Sequence, residues 1–484
     1  MKRLVLIFSV MLLAISACTP KPPDPVVPPE IETSEIILPS ETPEPSQTPE
    51  PTVEPEGFTK YRFEMRLDYH QKTAEIAQTI DYLNKSDFNL LTIQLVIPPR
   101  AYTSAYTQNS LAGDLVSGFS EDGIRTNIQL SQALQPGQRT SINLTYQLTI
   151  PQRDGSFGWT ERQVNLNNWY PYIPPLAEDG SWLSYEPVLD QQANSLVGEY
   201  IVNEISDFEL DLYMVENLNV LVASGANATP IEGGMHYSLE KARGLAFSFS
   251  NQFHHEQVQQ DGTMLNAYVF QYQKDKAQAI LEIAGKAMTL FTQLYGPYQR
   301  QQLTIVAWDF SHSMEMDGML LMSGNVINFY DNTAENNLTI LIPHELSHQW
   351  FYSQVGNNQA MEPWLDEALA TYSEALYYEN YHPELSQWWW DNRVYAHGEG
   401  GYVNNSIYDA KTYEVYRNSV YLNGAVFLHE LRIAMGDSAF FSALKNYVAL
   451  NDGKIATKAD FFNTFQSANP SADISSVFNR YFKN

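Results

Sequence analysis

HELSHQW, residues 344–350, is the stretch on which the reading of this chain turns. On a helix, positions i and i+4 lie one above the other, so His344 and His348 present their imidazoles to a common point, with Glu345 one residue round beside it. Two neutral imidazoles and a neighbouring carboxylate suit Zn²⁺ and a water that it activates. The same spacing also fits two satisfied core histidines, and a five-residue pattern with three fixed positions recurs in unrelated helices. The motif therefore needs a third ligand. Pro343 stands directly before it, and a helix-interior proline costs about 3 kcal/mol, so the motif helix is expected to begin near Pro343 or to bend there.

Working outward, WLDEALATYSE begins at Trp364 and carries Glu367, separated from His348 by an eighteen-residue spacer. The Gly, Asn and Pro breakers of SQVGNNQAMEP turn the chain, so that a second helix packs on the first and brings Glu367 to the metal. Two histidines and a glutamate leave a fourth position for water, the open site that separates catalytic from structural zinc. Glu374 lies seven residues after Glu367, on the same helical face, where it can orient a histidine ligand; an ordinary surface charge is the alternative.

HELSHQW, the spacer and WLDEALATY together resemble the gluzincin zinc metallopeptidases of the aminopeptidase N family. The resemblance continues at SMEMDG (313–318), where that family carries its G-x-M-E-N substrate motif, and at SVYLNGAVFLHELR (419–432), where it carries a catalytic tyrosine. Upstream, NNWYPYIPPLAEDGSW and LVASG are similar to its β-domain, so coverage runs from about Phe58 to the C-terminus. The long helical C-terminal domain of many members does not follow.

The resemblance implies one Zn²⁺ per chain on His344, His348 and Glu367, Glu345 as general base, and Tyr421 as donor to the developing oxyanion. It also implies Glu315 as receiver of the substrate's α-ammonium group. Here the chain departs from the pattern: His312 stands where the family has Gly, and Met316 replaces the usual Asn. An aminopeptidase is the leading expectation, with an endopeptidase of the same fold as the alternative. An inactive binding module that kept the fold is a third reading, against which the retained Glu345 counts. Tyr421 is one of 30 tyrosines, and Glu315 also reads as a solvated loop carboxylate. His254, His255, His397 and His429 read as structural, and Trp388, Trp389 and Trp390 as helix packing.

The rest of the chain sets the context. At 484 residues and 44% apolar it can bury several cores, and 56 acidic against 28 basic residues repel phosphate backbones, so nucleic acid is not an expected partner. The opening MKRLVLIFSVMLLAISAC places two basic residues before an apolar run too short to span a bilayer, as in a secretory signal peptide over residues 1–17. Cys18, the only cysteine, ends an I-S-A-C segment resembling a bacterial lipobox, which implies a lipidated, envelope-anchored protein facing away from the cytoplasm. Residues 18–57 hold nearly half of the 26 prolines and read as a disordered tether.

From 58 to 255 the segments FEMRLDY, AEIAQTIDYLN, LLTIQLVIP, RTSINLTYQLTI, DFELDLYMVE, NVLVASG and LAFSFS read as strands of an all-β domain. No catalytic cluster is expected there. From 256 to 484 the strands NAYVFQY and QLTIVAW are mixed with helical periodicity, an α+β domain that the resemblance makes a thermolysin-like catalytic domain. A peptide or protein is the expected partner, and the membrane only through the lipid.

Overall fold

The computed structural model describes residues 57–483, apart from 193–194, 217–218 and 399. The expected signal peptide, Cys18 and the tether up to residue 56 lie outside the described residues. No described helix is long and apolar enough to cross a membrane.

The first part of the described chain is built on a seven-stranded sheet, ordered Asn227–Ile231, Gly234–Ala242, Ser206–Met214, Thr59–Asp68, Thr73–Leu83, Arg139–Thr149, Tyr106–Gly113. Only the pairing of Thr59–Asp68 with Ser206–Met214 is parallel. Side chains alternate across a strand, and here Tyr61, Phe63, Met65 and Leu67 point inward with Ile142, Leu144, Tyr146 and Leu148. These meet a smaller three-stranded sheet through Ile93, Leu95 and Ile128, and the aromatic pair Trp169 and Tyr170 fills the space against Phe63 and Phe208. Gln78 is the polar member of this core. Its amide donates to Pro171 O at 2.7 Å and its carbonyl accepts from the Tyr146 hydroxyl at 3.0 Å, so neither group is left unpaired.

Strands over 106–134 and 234–242 were absent from the sequence reading. Tyr106–Gly113 and Val116–Asp122 have no fully buried residue, so they lack the apolar face that marks a half-buried strand.

The second part has a five-stranded sheet in the order Phe253–Gln260, Thr263–Phe270, Gln302–Trp308, Met319–Ser323, Met314–Met316, with the two inner pairings parallel. The expected boundary between residues 255 and 256 falls inside the first of these strands. FHHEQVQQ pairs along its whole length with Thr263–Phe270, and that pairing, which its composition does not announce, assigns it to the second sheet.

Of the α-helices in this part, the first four in chain order are α1 (Ala277–Tyr295), α2 (Gly324–Asn328), α3 (Asn337–Ser347) and α4 (Trp364–Tyr381). α1 buries Ile280, Ala284, Ala287, Phe291 and Leu294, an i, i+3, i+4 stripe that packs against the sheet and α3. α3 starts earlier than Pro343. Asn336 caps it, its side chain accepting the N–H groups of Leu338 and Thr339 at 2.8 and 3.1 Å, so six residues of helix precede the proline. It also stops at Ser347, which leaves His348 as the C-terminal cap rather than mid-helix.

Candidate metal centre

α3 and α4 lie side by side, and their facing residues build the centre. His344 Nε2 is 3.3 Å from Glu367 Oε2, and His348 Nε2 is 3.6 Å from the same oxygen. Zinc takes nitrogen and oxygen at about 2.0–2.2 Å in a tetrahedron, which sets its ligand atoms roughly 3.3–3.5 Å apart. The spacing therefore fits that ion. Glu367 Oε2 is buried and has no hydrogen-bond partner among the described residues. A buried, unpaired carboxylate oxygen is costly, and a cation held between the three donors removes the cost.

The opposite edge of each imidazole is fixed. His344 Nδ1–H donates to Glu374 Oε1 at 2.8 Å, and His348 Nδ1–H donates to Asp366 Oδ1 and to Phe351 O. Carboxylates on Nδ1 select the tautomer whose Nε2 lone pair faces the metal position. Glu374 is itself fully buried and is held by Arg393 through two N–H groups at 2.8 Å each and by Trp389 Nε1–H at 3.1 Å. Burial would raise its carboxyl, but Arg393 outweighs burial and keeps it below the usual range. Tyr421 donates its hydroxyl to Glu367 Oε1, and its ring stacks on His344 with centroids 5.8 Å apart. Arg393 and Tyr421 each sit in a π-helical turn, Trp390–Val394 and Arg417–Leu422, a rare geometry that recurs at functional sites.

A second group of carboxylates lies beside the first. Glu315 sits on the edge strand Met314–Met316, and atoms of Glu315, Glu345 and His348 lie within 4.8 Å of one another. Half-buried Glu199, from the first part of the chain, comes within the same distance of Glu315 and Asp366. The Gln359 amide bridges them, donating to Glu199 Oε2 at 2.7 Å and to Asp366 Oδ2 at 3.1 Å. Both latter groups offer mostly carboxylates, and only His344, His348 and Glu367 combine two imidazole nitrogens with an unpaired oxygen, so that trio is the zinc-like one.

Long-range contacts place these groups. A Cβ on Gly198 would stand 2.6 Å from the Tyr416 ring, so glycine there lets the Glu199 segment press against the helix that carries Tyr421. Buried Arg243 donates from its guanidinium to the carbonyls of Tyr352, Ser353, Asn203 and Lys454, and its backbone N–H donates to Asp317 Oδ2 at 2.5 Å. Gln349, the residue after His348, holds the Glu315 hairpin by donating to Met316 O and accepting from Gly318 N–H, both at 2.9 Å.

The electrostatics report a surplus of negative charge. Burial first, and then Glu367, push Glu199 up to about 8, and burial also carries Glu315 well above the carboxylate range. Burial raises Glu345 to about 7 against the opposing pull of His344 and His348. His344 is held up at about 9 because Glu367 and Glu374 outweigh the burial that would lower it. A divalent cation at one end of this cluster and an ammonium group at the other would compensate the excess.

Of the described residues singled out from the sequence, His344, His348, Glu367, Glu374 and Tyr421 cluster together, and Glu345 and Glu315 lie beside His348. Four others were missed. Asp366 had a signal, adjacent to Glu367 in the same motif. Glu199, Gln359 and Arg393 had none, since each reaches the site from a segment without any metal-ligand or acid-base pattern.

Residues 279–481 match the peptidase family M1 domain. The chain is 25% identical over 206 residues to aminopeptidase M1-A of Oryza sativa subsp. japonica, a match spanning 39% of this chain and 23% of that protein. It is 24% identical over 219 residues to aminopeptidase N of Haemophilus influenzae, covering 42% and 25% respectively, and 25% identical over 264 residues to aminopeptidase N of Lactobacillus delbrueckii subsp. lactis, covering 50% and 31%. The match thus spans between about a quarter and a third of these curated relatives' length. The fold is similar to that of an M1 zinc metallopeptidase from Deinococcus radiodurans solved with a Tyr-Ser-Ala substrate, with a TM-score of 0.61 at 16% identity over 88% of this chain and 94% of that one.

Proposed function

We propose that this protein, whose residues 279–481 match the peptidase family M1 domain, is a zinc-dependent metallopeptidase that removes residues from the free amino end of peptides, with one zinc per chain. The observation that carries the reading is the unpaired Glu367 Oε2 facing two oriented imidazole nitrogens at 3.3 and 3.6 Å. His344, His348 and Glu367 would hold the ion. Zinc, when bound, polarises the scissile carbonyl and lowers the pKa of a water to near 7.

The chain's own residues do the rest. Glu345 takes a proton from the attacking water and passes it to the leaving amine, general acid–base work open to a carboxylate within reach of the proposed ligand His348. Tyr421, already beside the metal ligand Glu367, donates its hydroxyl to the oxyanion forming on the substrate, a kind of contact worth about 3–4 kcal/mol. Glu315 and Glu199 receive the substrate's ammonium group, which fixes the cut one residue from the end. Glu374 and Asp366 keep the imidazoles in register. The I-S-A-C segment at residues 15–18 supports a lipid anchor on Cys18 and an extracytoplasmic location.

Purified protein is expected to carry about one zinc per chain and to lose peptide cleavage on chelation. Glu345→Gln is expected to keep the zinc and lose roughly 10²–10⁴ in kcat. Cleavage that survives metal removal would refute the reading. Comparing a free-amine peptide with its N-acetylated form tests the exopeptidase assignment: equal rates would make the protein an endopeptidase.

A further inference from the structure

Tyr352, four residues past His348, has a φ of 130°. The seven other non-glycine residues with positive φ, among those described, lie between 48° and 67°, inside the left-handed well. A φ of 130° is glycine territory, because any Cβ crowds the backbone there. Such strain persists only where the surroundings fix it. Here they do: the Tyr352 N–H donates to Val355 O at 2.9 Å, and its carbonyl accepts from Arg243 Nε at 2.5 Å. Both contacts are made by the backbone, so glycine would keep them and relieve the strain. What the position retains at that cost is the side chain.

Tyr352 lines a cleft, part of it open to solvent, whose walls also include Glu199, Glu315, Tyr102, Phe157 and Tyr200. No described residue hydrogen-bonds its hydroxyl. No lysine or arginine is among the described residues lining the cleft.

We propose that Tyr352 is a specificity-determining residue, its ring forming the wall on which the side chain of the substrate's amino-terminal residue packs, and that the cleft selects large aromatic side chains and rejects acidic ones. The inference rests on the peptidase reading. Aromatic rings on several sides favour offset or edge-on packing of another ring, while a cleft lined by Glu199 and Glu315 and by no lysine or arginine among its described residues offers a substrate carboxylate no cationic partner.

The test uses the full chain loaded with zinc, in four forms: parent, Tyr352→Phe, Tyr352→Ala and Tyr352→Gly. Each is assayed on peptides that differ only in an amino-terminal Phe, Ala or Glu, and each is melted. The parent is expected to prefer Phe over Ala and to cleave the Glu peptide least. Tyr352→Phe should hold the Phe-over-Ala ratio of kcat/KM, and both truncations should lower it about tenfold. Tyr352→Gly should melt above Tyr352→Ala, the reverse of the usual order of these residues. A ratio unchanged by truncation, or raised by it, overturns the assignment. So does a glycine variant no more stable than the alanine variant, since the backbone would then carry no strain. If the parent cleaves none of the peptides, the peptidase reading falls and this inference with it; cleavage with an unmoved ratio removes this inference alone.

Discussion

The two ends of the cluster of histidines and carboxylates are built in different ways. At the metal end, the three candidate ligands and both carboxylates that orient the histidines come from α3, its C-cap and α4, all between residues 344 and 374. At the amine end, Glu199 comes from the first part of the chain, Glu315 from a sheet-edge hairpin and Gln359 from the loop before α4. One end is fixed by the packing of two neighbouring helices. The other exists only while the first part of the chain stays docked, through Gly198 against Tyr416 and Arg243 on the loop after His348. Metal affinity and substrate recognition should therefore be separable by mutation.

The largest effect is expected from Glu367→Ala, which removes a ligand at the metal end. Zinc content should fall to background in a metal assay of dialysed protein, and peptide cleavage should go with it, while the fold survives by circular dichroism. Arg243→Met comes next. Several carbonyls lose their donor at once, and each buried acceptor left unpaired costs about 1–3 kcal/mol, visible in denaturant titration. If the two ends are independent, the zinc content below the melting point should stay at the parent level while KM rises. A parallel loss of zinc would show that the metal end leans on the docking too.

Glu199→Gln probes the amine end alone. Hydrogen bonds to charged groups contribute about 1.5–3 kcal/mol, so KM for a free-amine peptide should rise roughly 10- to 100-fold, with the N-acetylated peptide and the zinc content little changed. Equal effects on both peptides would detach Glu199 from amine recognition. The smallest effect on turnover at saturating zinc is expected from Glu374→Gln. Loss of an orienting carboxylate typically weakens metal binding 10- to 100-fold, which a chelator competition measures, and added zinc should restore most of the activity. Failure of zinc to rescue would mean that Glu374 acts on the reaction itself.

The same contrast explains what was legible beforehand. Strands with one buried face, such as Thr59–Asp68 and Arg139–Thr149, alternate along their length and were readable; the exposed strands over 106–122 were not. The helix pair could be read because His344, His348, Glu367 and Glu374 follow helical spacing. The proline rule alone left open whether α3 begins near Pro343 or bends there, and the cap at Asn336 sets its start six residues earlier. Glu199 stayed hidden because it lies in an irregular segment with no periodicity around it.

By itself, the sequence determined the local geometry: which residues a helix stacks on one face, and therefore that His344 and His348 stand together with Glu345 beside them, and Glu367 with Glu374. Helical spacing is a property of adjacent residues, so a single segment carries it. Only the tertiary structure decided that Asp366 and Glu374 take the outer edges of the imidazoles, that Glu199 and Gln359 complete the opposite end, and that Tyr352 is held at a φ suited to glycine. Those relations depend on where separate segments come to rest against one another, and close packing of the whole chain sets that position.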